Sequence, residues 1–160
     1  MKIGVISDTH SFPIPPQVLQ DLKRVDLIIH TGDFCDTKDL DTFKKIKDVK
    51  AVYGNMDSPA LRKALPERLI FKVDDVTIGL FHGEGPAPQV FTRVQKIFEK
   101  QDVDVVIFGH SHQPLNERVG KILYFNPGSP TDTIHAPYRS YGLLEIDGRE
   151  VKGRIIKIKE

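Results

Sequence analysis

The chain has 160 residues, 39% of them hydrophobic and 28% charged, with 23 basic and 22 acidic side chains that leave a net charge of +1. That length suits one domain, residues 1–160, and the mixture excludes a disordered chain. The charge balance gives no strong nucleic-acid signal, no apolar run approaches the ~18 residues that cross a membrane, and the single cysteine, Cys35, suits a reducing cytoplasm without disulfides.

The opening MKIGVISDTH reads as a first strand, Lys2–Ile6, rather than a signal peptide, because its short apolar stretch runs into charge. PPQVLQDLKR is amphipathic, with Pro16 placed to open a helix. A strand at Asp26–Ile29, a helix near Lys38–Lys47, a strand at Lys50–Tyr53 and a short helix over Pro59–Leu65 follow. RLIFKV and VTIGLF form two strands joined at Asp74-Asp75. PQVFTRVQKIFEK places Val90, Val94, Ile97 and Phe98 at helical spacing. VDVVIF is a buried strand, and the last third holds two hairpins, LNERV/ILYF around Gly120 and SYGLLEI/VKGRIIKI around Asp147-Gly148.

Strands alternating with helices imply an α/β fold with parallel strands in the first part. The unbroken apolar run VVIF implies burial on both faces. The closing hairpins point to a second, more antiparallel sheet, and helices are expected outside both sheets.

In such folds ligands gather beyond the carboxyl ends of the strands. Asp8 and His10 follow KIGVI, Asp33 follows DLIIHTG, and Asn55 follows VKAVYG. His82 follows VTIGLF, and His110 and His112 follow VVIFG. A single histidine at a strand end is usually an ordinary surface residue, but five strand ends each carrying a metal-type ligand form a set that chance rarely assembles. Gly32, Gly54 and Gly109 are expected to turn the backbone tightly so that these side chains reach over the sheet edge.

DTH (8–10), GDFCD (32–36), GNMD (54–57), HG (82–83) and GHSH (109–112), in that order, resemble the calcineurin-like metallophosphoesterases. The short chain and the NPGS turn (126–129) are similar to the small single-domain phosphodiesterase branch. The resemblance implies a four-layer α/β/β/α sandwich of two mixed sheets flanked by helices. It implies one metal held by Asp8, His10 and His112, a second by Asn55, His82 and His110, and Asp33 bridging the two, with Asp33, Asn55 and His82 catalytic. The implied reaction is attack of a metal-bridging hydroxide on phosphorus in a small or nucleotide-type phosphate ester, preferentially a diester.

Two divalent ions contribute four positive charges, and two carboxylates with one hydroxide return three, so the site keeps about one net positive charge for an anionic substrate. Nitrogen-rich ligation favours manganese, nickel, cobalt, iron or zinc over magnesium or calcium, with manganese put first.

Asp36 reads equally as a helix cap and as a group supporting the ligands. His30 reads as a satisfied core or supporting residue, and Cys35 as packing. His135 and Arg139 fall in a loop that could overhang the metals; a surface role is at least as good a reading as an arginine gripping a phosphate oxygen. Many members of the resembled family have a histidine where this chain has Met56, and that histidine is assigned to protonating the leaving group; methionine has no proton to give. The rival reading is a non-catalytic scaffold like the retromer sorting subunit, which shares this fold. A nuclease subunit is a third reading, disfavoured because this chain has no length for its added domains. The expected partner is a small phosphate-ester substrate at an open site, with no membrane partner and self-association left open.

Overall fold

The computed structural model describes residues 1–160. Ten strands and four α-helices alternate as β1 (Lys2–Ile6), α1 (Pro16–Leu22), β2 (Leu27–His30), α2 (Thr37–Lys44), β3 (Val49–Ala51), α3 (Pro59–Ala64), β4 (Arg68–Val73), β5 (Val76–Phe81), α4 (Val90–Phe98), β6 (Val105–Ile107), β7 (Leu115–Val119), β8 (Ile122–Asn126), β9 (Ser140–Asp147) and β10 (Glu150–Lys157). None of the helices is long and apolar enough to cross a membrane.

The strands form two five-stranded sheets, ordered β10-β9-β1-β2-β3 and β4-β5-β6-β8-β7. Strands β1, β2 and β3 are parallel, as are β5, β6 and β8, while β9, β10, β4 and β7 are antiparallel to their neighbours. Both sheets are therefore mixed. The closing hairpins do not make a sheet of their own, as the sequence suggested: β7–β8 extends the second sheet and β9–β10 returns to the first. A hairpin signal is local, whereas sheet membership is decided by what packs across the core. Phe125 of β8 lies where a Cβ on Gly142 of β9 would come within 2.3 Å of its ring and one on Gly153 of β10 within 2.9 Å. Only bare backbone in that hairpin accommodates the ring.

Period-two alternation builds the four layers. From β1, Ile3 and Val5 enter the core between the sheets with Val105 and Ile107 of β6. Ile6 faces the other way, to Val18 and Leu22 of α1 and Phe43 of α2. Val106 and the adjoining Phe108 likewise turn outward to Val90, Val94 and Phe98 of α4. Ile97 is only partly buried, at the margin of that cluster. Each buried side chain of this kind contributes about 1.5–3 kcal/mol of hydrophobic stabilisation. The result is an α/β/β/α sandwich whose parallel strands direct their carboxyl ends to one edge.

Candidate metal centre

Five of the seven implied ligands occupy left-handed backbone: Asp8 (φ 56°), His10 (49°), Asp33 (61°), His110 (69°) and His112 (57°). Left-handed geometry costs a non-glycine residue about 1–2 kcal/mol, and such strain concentrates where a site must be held in one arrangement. Of the three expected turn glycines, Gly32 has positive φ (105°), but Gly54 and Gly109 do not. Those two supply space. A Cβ on Gly54 would lie 2.2 Å from Asp33 Oδ1, and one on Gly109 would lie 2.0 Å from Ser7 Oγ and 2.6 Å from Asp8 Oδ2.

The loops bring all seven side chains together in two adjoining groups. In the first, His112 Nε2 is 3.4 Å and His10 Nε2 3.9 Å from Asp8 Oδ1, and the two ring nitrogens are 3.3 Å apart. In the second, Asn55 Oδ1, His82 Nε2 and His110 Nδ1 lie 3.0–3.3 Å from one another. Asp33 Oδ2 stands between the groups, 3.2 Å from His82 Nε2 and 3.7 Å from His10 Nε2. Asp8 with His10 and His112, and Asp33 with His82 and His110, form two candidate metal sites.

The far side of each ring fixes which nitrogen carries the proton. His82 donates Nδ1–H to the Thr31 carbonyl at 2.8 Å, and His110 donates Nε2–H to the Gly85 carbonyl at 2.9 Å. His112 Nδ1–H points to the Asp132 carboxylate at 2.5 Å. Each neutral ring is then left with a lone pair facing the centre. In the second group three acceptors crowd within 3.3 Å with no proton between them, an arrangement that repels unless a cation occupies it. In the first group Asp8 Oδ1 is fully buried and has no hydrogen-bond partner, although its companion oxygen takes Ser7 Oγ–H and His110 N–H. Leaving a buried carboxylate oxygen unpaired is costly, and a cation among the imidazoles would remove that penalty.

Without metal, protons substitute. Burial opposes charge on His82 and His112, but hydrogen bonds and the charges of Asp8 and Asp33 (for His82) and of Asp8 and Asp132 (for His112) outweigh it and raise each to about 9. Burial likewise pushes Asp8 upward, yet protonated His112 3.4 Å away, the His82 imidazolium charge and the Ser7 hydroxyl hold its carboxyl well below the usual range.

The calcineurin-like phosphoesterase superfamily domain profile matches residues 1–149. The chain belongs to this superfamily. It is 38% identical over its whole length to a probable metallophosphoesterase of Methanocaldococcus jannaschii, covering 83% of that protein. It is also 29% identical to a phosphodiesterase of the same organism, covering 98% of this chain and 100% of the other. Among solved structures, Vps29 of Entamoeba histolytica complexed with zinc superposes with a TM-score of 0.77 at 27% identity, over 98% of this chain and 99% of that one. The superfamily is metal-dependent, in keeping with the two candidate sites.

Within this calcineurin-like phosphoesterase, two residues matter that sequence reasoning did not single out. The Asp57 carboxylate accepts the backbone N–H groups of Asp33, Cys35 and Gly54 at 2.7–2.9 Å and ties the second and third ligand loops together. Its signal was its place in GNMD, two residues after Asn55. Asp132 accepts from Ile134, His135 and Ala136 N–H as well as from His112, and no local pattern marked it.

Asp36 resolves as the cap of α2, accepting Lys38 N–H at 3.3 Å, and it is fully exposed. His30 is buried, stacks on Phe34 at 3.5 Å and bonds Thr9 Oγ1 at 3.1 Å; burial lowers it to about 3. Cys35 Sγ rests 3.7 Å from His10 Nδ1, its thiol pushed up to about 11 by burial and nearby carboxylates. Met56 is exposed, and its backbone N–H, not its side chain, serves the centre by donating to Asp33 Oδ1 at 2.8 Å. His135 lines a hollow together with His10 and His112. Arg139 makes no polar contact with the cluster, and its Nε is buried without a partner.

Proposed function

We propose that the protein is a dinuclear metal-dependent phosphodiesterase acting on small or nucleotide-type phosphate esters. Asp8, His10 and His112 would hold one ion, Asn55, His82 and His110 the other, and Asp33 would bridge them. Two divalent ions held there would supply Lewis acidity and a nucleophile available at neutral pH. The protein's own groups hold that arrangement: Thr31, Gly85 and Asp132 aim the imidazoles, Asp33 and Asp8 supply the negative charge, and Met56 N–H orients the shared carboxylate. Manganese ranks first among the transition metals that suit a nitrogen-rich set.

The observation carrying this reading is Asp8 Oδ1, buried, unpaired and facing the Nε2 atoms of His10 and His112. A relative named a phosphodiesterase over its full length supports the activity class. The likeness to Vps29 supports a second reading, a non-catalytic scaffold that keeps the fold and a metal, as the zinc complex does.

The test strips the protein, reloads it separately with manganese, nickel, cobalt, iron and zinc, and assays phosphate diesters and monoesters. Metal-dependent diester hydrolysis is expected, falling steeply as the leaving group becomes more basic, because Met56 cannot protonate it. A protein that holds its ions and cleaves none of these esters is the scaffold.

A further inference from the structure

The two sides of the ligand cluster are chemically unlike. Beside Asn55 and His82 lies a hollow of about 200 Å³ that includes Tyr53, Arg62, Glu67 and Glu84, a charged wall. Beside His10 and His112 lies another of about 260 Å³, whose wall includes Phe12, Thr131, Ile134 and His135. Phe12 and Ile134 are the most exposed large apolar side chains of the chain, at 61% and 83%. Scattered apolar exposure is ordinary, but two such side chains lining one hollow at a ligand cluster mark a binding surface.

Both are fixed to the ligand loops. Phe12 follows His10 by two residues, and its N–H donates to Thr9 O at 3.1 Å. Ile134 N–H donates to Asp132 Oδ1 at 2.8 Å, while the other oxygen of that carboxylate takes the His112 ring. Gln113, next to His112, reaches the His135 carbonyl from its side-chain amide at 3.4 Å. The Ile134 side of the wall is thus positioned by the same carboxylate that aims the His112 imidazole. Its volume falls below the ~300–1,000 Å³ of clefts that enclose a drug-sized ligand, and suits one ring rather than a whole substrate.

We propose that the Phe12–Ile134 hollow seats an aromatic ring, a nucleobase or an aryl group, carried by a phosphate ester whose phosphoryl group lies at the seven-residue cluster. This rests on the phosphodiesterase reading and adds the class of ester group selected. Ring faces pack on Phe12 and the Ile134 side chain, while Thr131 and His135 offer polar atoms to the ring edge.

The test is calorimetric and independent of turnover. Methylphosphonate and phenylphosphonate are titrated into the manganese-loaded protein and into a Phe12→Ser/Ile134→Ser variant, with metal content checked in both. Neither side chain is a ligand, and both are exposed, so the variant should fold and hold its metal. Phenylphosphonate should bind about tenfold tighter than methylphosphonate, the discrimination a small apolar pocket provides. The variant should lose that preference while keeping its methylphosphonate affinity. Equal affinities in a protein that hydrolyses diesters would overturn the ring site alone and leave the patch to a protein partner. A preference that survives in the variant would also overturn it. Failure of a two-metal protein to bind either phosphonate would overturn this proposal and the phosphodiesterase reading together.

Discussion

The two halves of the ligand cluster are built on different electrostatic plans. The Asp8–His10–His112 half contains its own carboxylate, fully buried and unpaired on one oxygen and 3.8 Å from His82 of the other half, and one of its imidazoles is tied to a second carboxylate, Asp132. The Asn55–His82–His110 half has only neutral donors, braced by backbone carbonyls, and must borrow the charge of Asp33. Asn55 and the neighbouring Met56 are exposed. On the proposed reading a cation should therefore be held more tightly in the first half, whereas the second should be the more open to substrate and the more dependent on Asp33. Asymmetry of this kind would let one ion stay resident while the other completes the centre.

Removing the bridge should have the largest effect. Asp33→Ala takes the only carboxylate from the second half and weakens the first, and a metal centre of this kind contributes several kcal/mol to the transition state. Diester hydrolysis should fall on the order of 10³-fold or more. Steady-state assay with saturating manganese checks this, and a loss of less than tenfold would show that the halves act independently.

Asp132→Asn breaks the comparison at the first half. The amide still accepts Ile134 and His135 N–H through its oxygen, but its nitrogen then meets His112 Nδ1–H donor to donor. Loss of such a support typically weakens metal affinity 10–100-fold, and the weakening should fall on the tighter ion. Competition with a metal chelator reads this out; an unchanged first affinity would assign Asp132 to the loop alone.

The pH dependence involves both halves, because each contains one histidine raised to about 9, His82 in one and His112 in the other. Since these folded values exceed the unfolded one near 6.5, the metal-free protein gains stability that is complete below pH 6.5 and lost as pH rises through 9. Metal must displace the same protons, so affinity should climb with pH and level off near 9. Calorimetry at pH 7 in buffers of different ionisation enthalpy should register proton release, and buffer-independent heats would refute the assignment.

The smallest effect is expected at Asp36→Ala, which removes the cap of α2 and nothing from the centre. Melting temperature should drop slightly with hydrolysis unchanged. A fall in activity at unchanged metal content would return Asp36 to the site.

The meeting of these seven side chains was legible because each follows an apolar strand in the chain itself, and the parallel topology carries those strand ends to one edge. Asp57 and Asp132 were less so. Their partners are backbone N–H groups and a ring that only the fold brings near, and Asp132 lies 20 residues from His112. The glycines were half legible: Gly32 turns the chain, but Gly54 and Gly109 are required by the space that Asp33, Ser7 and Asp8 occupy. The four layers followed from alternation and helix spacing. The parting of the two closing hairpins did not, because it depends on Phe125 meeting Gly142 and Gly153 across the core.

The central claim is that seven side chains form two unequal metal sites that work together. Titrating manganese into the stripped protein, while counting bound ions and following diester hydrolysis, tests it most directly. Two ions per chain should bind, the first more tightly and without restoring activity, with hydrolysis rising only as the second site fills. A single ion at saturation, or full activity with one ion bound, would contradict the account.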